Sequence, residues 1–310
     1  MSRYFTLRIM KSIPTIAGAA TLIFFFIHLV PGNPVDLLLG ESAPISSKQA
    51  LKERLGLNRP LSKQYISFVA QISTGNLGYS ISKSKSVTSL ILERLPYTFF
   101  LAAVAILFTV ILGSFLGLLG VLFKNRLPDH MSFLFSLVVY SMPNFFLGPL
   151  LMIIFSVHLN LFPLSGFEGL SSVFLPAITL SLGLSATFSR ITRESFLKEL
   201  DAPYTLFARA KGLTLRTILL RHIVKNASLP IITIVGLEMG SLLAGSVVTE
   251  TIFSWPGIGK LLMEAILARD YPLVQGVTLF IASSYVLLNI FTDLLYAFVD
   301  PRVRISFEKQ

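Results

Sequence analysis

Six long stretches of this chain carry almost no charge, and that pattern decides which solvent it folds in. Ser12 to Val30, Tyr97 to Phe123, Met131 to Val157, Leu170 to Ser189, Leu229 to Thr249 and Leu273 to Thr292 hold one ionised residue between them, Glu238. A helix rises about 1.5 Å per residue, so roughly 20 apolar residues cross a hydrocarbon core about 30 Å thick. Each stretch reaches that length within a residue or so. Composition agrees: 14% of residues are charged, where a soluble domain carries about 25%. The expected fold class is therefore all-α integral membrane, with six transmembrane helices.

Arg3, Arg8 and Lys11 precede the first stretch, and Ala17-Gly18-Ala19 resembles a signal-peptide cleavage site. The apolar run continues past those alanines to Val30, longer than a signal core, and so predicts a retained anchor. Orientation follows from the 26 Lys and Arg. With the N-terminus inside, 16 fall in the segments 1–11, 124–130, 190–228 and 301–310. Eight more lie in the 66-residue segment 31–96, which is too long to count in the positive-inside rule. Only two remain for the other outside loops. Both termini of this multi-pass protein are expected on the cytoplasmic side. The net charge of +10 thus sits between spans rather than on a nucleic-acid-binding face.

Two connections carry their own helical pattern. In 31–96, Ser47 is an expected cap for a helix with Leu51 and Leu55 on one face, closed by Gly56. Pro60 opens a second helix in which Leu61, Tyr65, Phe68, Val69 and Ile72 recur at helical spacing, up to Gly75-Asn-Leu-Gly78. This predicts a small helical extracytoplasmic insertion, its stripe packed on the span mouths or lining a ligand pocket. In 190–228, Asp201-Ala-Pro203 marks a helix start and Gly212 its end. Tyr204, Phe207, Ala208 and Lys211 are expected on one face. A second helix fits from Thr214, with Leu215, Ile218, Leu219, His222 and Ile223 in register and Pro230 as its limit.

Much chemistry is excluded. There is no cysteine, hence no disulfide or thiolate centre. His28, His130, His158 and His222 form no metal-spaced pair. Gly257-Ile-Gly-Lys260 is followed by Leu261, which removes the Ser or Thr a phosphate loop requires. No nucleophile–base pair appears at a common depth, so no enzyme is expected. Glu238 stands out, because a carboxylate at mid-span costs about 2.5–3.5 kcal/mol. It is a candidate for the translocation route or, equally, a hydrogen-bonded contact between helices. Asn144, after the Pro143 interruption of the third stretch, has the same two readings. Gly113 with Gly117, and Gly236 with Gly240, have the spacing of close helix packing.

Phe207-Ala-Arg-Ala-Lys-Gly-Leu213, with Arg221-His222 and Leu229-Pro230, resembles the EAA-type loop of binding-protein-dependent ABC importers, in the form found in oligopeptide, dipeptide and nickel permeases. Further blocks fit the B-type permease of that family, in order along the chain. They are His28-Leu-Val-Pro-Gly-Asn-Pro34, Leu55-Gly-Leu-Asn-Arg-Pro-Leu61, Gly75-Asn-Leu-Gly-Tyr-Ser80, Leu92-Glu-Arg-Leu-Pro96, Glu250-Thr-Ile-Phe-Ser-Trp-Pro-Gly-Ile-Gly259, Arg269-Asp-Tyr271 and Asp300-Pro-Arg302. The loop departs from the pattern in having Phe207 or Ala208 where the first acidic residue would stand. The resemblance implies residues 1–96 as first helix plus insertion, 97–300 as a five-helix permease domain, and 301–310 as a tail. It implies a coupling loop of Tyr204, Phe207, Ala208, Arg209, Ala210, Lys211 and Gly212 docked on an ATPase. The implied partners are a second related permease chain, two cytoplasmic ATPase subunits holding ATP and Mg, an extracytoplasmic binding protein that delivers peptide, and membrane lipid. The rival expectation is an ion-coupled secondary transporter, which would show internal repeats and more ionisable groups within spans.

Overall fold

The structure, a computed structural model, describes residues 2–29, 35, 43–54 and 56–299. Leu55, the 30–34 part of the first sequence block, Asp300-Pro-Arg302 and the expected tail fall outside them. The chain divides into two compact units, Met1–Thr98 with Pro256–Val286 and Phe99–Trp255 with Leu287–Gln310.

In the first unit, α1 (Ser2–Leu29) runs through Pro14. α2 (Ile45–Arg54) starts before Ser47, because Pro44 already accepts the Lys48 N–H at 3.1 Å, so Ser47 lies within the first turn and is not the cap. Gly56 takes φ 68°, the left-handed conformation that ends a helix. Pro60 is extended and leads into α3 (Leu61–Ser73). The ring of Phe24 on α1 meets Tyr65 and Phe68 at centroid distances of 5.3 and 5.5 Å, so that side of α3 packs on α1. A short hairpin follows, β1 (Tyr79–Ser80) paired antiparallel with β2 (Lys85–Ser86). Buried Asp270 holds its turn, accepting from the Ser80 and Ser82 hydroxyls at 2.7 Å each and from the Ser82 N–H at 2.9 Å. The core here joins Val87, Leu90 and Ile91 of α4 (Val87–Leu122) to α12 (Ile258–Leu267) and to Leu273 and Val277 of α13 (Tyr271–Val299).

The second unit is organised by α7 (Phe174–Leu200). Of its apolar stretch 56% is buried, against 17–33% for the other spanning helices. Its polar residues bond inward: the hydroxyls of Thr179, Ser181 and Ser185 donate to carbonyls three or four residues back. Glycines bring α4 against it. A Cβ at Gly113 would lie 2.7 Å from Phe188, and one at Gly117 would lie 2.7 Å from the Ser189 carbonyl oxygen. At Gly120 the neighbours are Arg193 and Asp129. Arg193 is bidentate to Asp129, Nε and Nη2 each donating over 2.8 Å, and the Asn125 N–H adds a third bond at 2.9 Å. Those bonds tie α7 to α5 (Leu127–Ser141).

Five helices among the described residues are long and apolar enough to span: Met10–Leu29, Val87–Leu122, Leu170–Leu200, Arg216–Leu242 and Tyr271–Thr292. The third expected span, Met131–Val157, is not one helix. α5 and α6 (Asn144–Leu151, continued as a π turn to His158) meet at 104° around Met142 and Pro143, and only the bent pair together passes the same test. Proline lacks the N–H that would continue the ladder and disfavours helical geometry in Met142 before it. Pro230, by contrast, does not separate two helices. After α9 (Leu215–Ile218) and a π turn, α10 (Val224–Gly245) runs straight through it, and spanning helices tolerate this when neighbours satisfy the freed carbonyl. α10 ends at Ser246, which places Thr249 in the short α11 (Val247–Ile252).

Candidate coupling loop

The chain leaves α7 in a tight turn. Asp201 closes that helix, its N–H on the Leu197 carbonyl at 3.2 Å, rather than capping the next. Ala202 is extended, and Pro203, with φ preset by its ring, begins α8 (Pro203–Ala210). Gly212 ends α8 with φ 79°. Its N–H reaches the Arg209 carbonyl at 2.9 Å and the Leu213 N–H reaches Ala208 at 3.2 Å, the two bonds of a Schellman cap.

Two turns of helix give α8 two opposed sides. Inward, Thr205 is fully buried and donates to the Glu199 carbonyl at 2.7 Å. Ala208 sits in a cluster with Phe196, Ile218, Ile223 and Ala227. The Tyr204 hydroxyl donates to the Glu199 carboxylate and accepts from Asn226 Nδ2 at 3.1 Å. Burial, then the Glu199 carboxylate beside it, pushes the Tyr204 phenol above its ordinary pKa, which keeps it a donor. Outward, Leu206 and Phe207 are 56% and 63% exposed, and Arg209, Ala210, Lys211 and Gly212 are exposed with them. The Lys211 ammonium lies 4.6 Å from the Phe207 ring centroid. The expected common face of Tyr204, Phe207, Ala208 and Lys211 is therefore divided. Tyr204 and Ala208 anchor the helix, while Phe207 and Lys211 present it.

Glu238 and Asn144 stand apart from this loop. Glu238 is partly buried on α10 and accepts from the Ser241 hydroxyl at 2.7 Å, within its own helix. Asn144 is the first residue of α6, just past the elbow, its Oδ1 4.0 Å from where a Cβ on Gly183 would stand. Sequence reasoning missed Glu199 and Asn226. They join Tyr204 from 5 and 22 residues away, and nothing in a periodic pattern pairs them. A Glu in the last turn of α7 and an Asn at the start of α10 were the only signals available.

The profile described as "binding-protein-dependent transport system inner membrane component" matches residues 109–305, and its N-terminal companion matches 1–102. The chain belongs to this family. Along 98% of its length it is 37% identical to the glutathione transport system permease protein GsiC of Pectobacterium atrosepticum, and 34% identical to GsiC of Escherichia coli strain K12, covering 99% of each. Among solved structures it is similar to the MetNI methionine ABC transporter in its inward-facing conformation. There the TM-score is 0.57 at 16% identity, over 68% of this chain and 96% of that one. A family member of this kind is the permease subunit of an ABC importer, a multi-pass inner-membrane protein and not an enzyme. The solved fold is shared at a sequence identity that speaks for architecture alone.

Proposed function

We propose that this permease carries a short peptide or a peptide-like thiol such as glutathione, moved by ATP hydrolysis on subunits that grip α8 from the cytoplasm. The observation that carries the coupling half is the geometry of α8. It is a short, capped helix fixed from behind by Thr205 and Ala208, with Leu206, Phe207 and Lys211 turned outward. A side so apolar, between basic neighbours, suits a groove on a protein partner. In this reading a second permease chain completes the pathway, two ATPases hold ATP and Mg, and an external binding protein supplies cargo. Glu238 and Asn144 line the route, and residues 97–300 form the permease domain proper. The cargo class is supported by the names of the GsiC relatives.

Reconstituted vesicles holding the whole complex should accumulate labelled glutathione or a tripeptide in an ATP-dependent manner. Glu238→Gln should lower that uptake at equal protein level. Uptake driven by an ion gradient without ATP would overturn the reading, and unchanged uptake kinetics would remove Glu238 from the route.

Orientation is tested separately, and the absence of cysteine makes each introduced thiol unique. Ser84→Cys lies in an exposed hairpin turn and Lys198→Cys on an exposed part of α7. An impermeant thiol reagent added outside intact cells should label the first and spare the second. The reverse pattern would invert the topology.

A further inference from the structure

We propose that Tyr204 is a positioning residue that locks α8 to the two long helices on either side of it, and does not itself touch the ATPase. Its hydroxyl sits where three elements meet: Glu199 in the last turn of α7, Tyr204 in the first turn of α8, and Asn226 in the first turn of α10. Each partner uses one feature of the phenol, its proton toward Glu199 and its lone pair toward Asn226. The Thr205 hydroxyl on the Glu199 carbonyl at 2.7 Å lies beside this junction. The His222 ring, 6.4 Å from that of Tyr204, walls the same side.

The consequence is mechanical and rests on the docking role of α8. A helix of eight residues pulled by a partner transmits force only as far as its attachments are stiff. Ala208 attaches it by dispersion contacts, which allow a helix to slide over its neighbours, and the Thr205 hydroxyl ties it to α7 but not to α10. A hydrogen bond to a carboxylate is directional and stronger than a neutral one, and the same phenol reaches on to Asn226 of α10. With the lock in place α7, α8 and α10 move together. Without it, α8 still hangs from α7 by Thr205, and α10 lags behind.

The test uses the complete complex in vesicles, with two readings: ATPase retained on purification, and ATP hydrolysed per cargo taken up. Tyr204→Phe keeps the ring and removes only the hydroxyl. ATPase should co-purify at the parental level, while ATP used per cargo rises about ten-fold, the scale of one lost hydrogen bond to a charged group. Asn226→Ala, which removes the other attachment, should raise the ratio in the same direction. Glu199→Gln retains an acceptor and should restore most of the coupling that Glu199→Ala loses. An unchanged ratio in Tyr204→Phe with ATPase bound would overturn the lock. Loss of ATPase from Tyr204→Phe would make Tyr204 a docking contact and overturn it as well. Failure of the docking role itself reads differently, as full ATPase retention in a variant of the outward face such as Ala210→Asp.

Discussion

Ala210→Asp and Gly212→Val should each reach the membrane at near-normal abundance and transport almost nothing. Ala210 is exposed at the end of α8, so a carboxylate there stays in water in the isolated chain and is harmless to it. Pressed into a partner's apolar groove, it would be stripped of water, at a cost of several kcal/mol. Gly212 acts through the backbone alone. Nothing lies within 4 Å of the position its Cβ would take, so valine meets no obstacle, but φ is 79°. Left-handed geometry costs an ordinary residue about 1–2 kcal/mol, and a β-branched one more. The Schellman cap opens and α8 leaves its angle. Uptake by reconstituted complexes, membrane abundance and co-purified ATPase measure the outcome. Full uptake with full ATPase in both variants would refute a docking role for the loop.

Gly117→Leu should remove the protein from the membrane altogether, or leave a remnant that melts many degrees lower in detergent. A Cβ at this position would stand 2.7 Å from the Ser189 carbonyl oxygen and 2.8 Å from the Thr192 Cβ. The first is backbone of α7 and cannot swing aside, so α4 must move off it and give up the contacts at Gly113 and Gly120. Overpacking of this type costs about 1–3 kcal/mol where side chains yield, and more where backbone must. Gly18→Leu is the control, since α1 offers nothing within 4 Å of that position. Equal abundance and equal melting of the two variants would show that the glycine contact carries no stability.

How far such features can be read from sequence depends on the range of the forces that set them. Apolar runs announced the spanning helices because desolvating charge is a local cost, paid residue by residue. Their ends were less legible for the same reason. The charge criterion stops the second run at Tyr97, yet α4 begins at Val87, with Glu93 reaching Lys85 at 2.9 Å. It stops the fourth at Ser189, yet α7 continues to Leu200 with Arg193 satisfied by Asp129. Pro203 and Gly212 marked α8 because their backbone limits are intrinsic. Which side of α8 faces inward was not legible, because two turns contain too little periodicity to choose between Ala208 and Phe207. The Tyr204–Glu199–Asn226 junction and the Arg193–Asp129 pair exist only once helices are assembled. Proline guided unevenly: Pro143 marked an interruption that is a near right-angled break, while Pro230, expected as a limit, lies inside a continuous helix.

That break says where water belongs. α5 has 15 residues, an advance of about 22 Å, which ends short of a hydrocarbon core roughly 30 Å thick. At Met142 and Pro143 the ladder stops, and carbonyls at the end of α5 lose the amides that would have met them. Acyl chains offer no hydrogen-bond donors, so an irregular backbone at that depth persists only against protein or along a hydrated cavity. An elbow at such a depth needs protein or water, not lipid, beside its backbone. Asn144, one residue beyond it, adds an amide of its own to the same spot, which is where the proposed route would be wetted first.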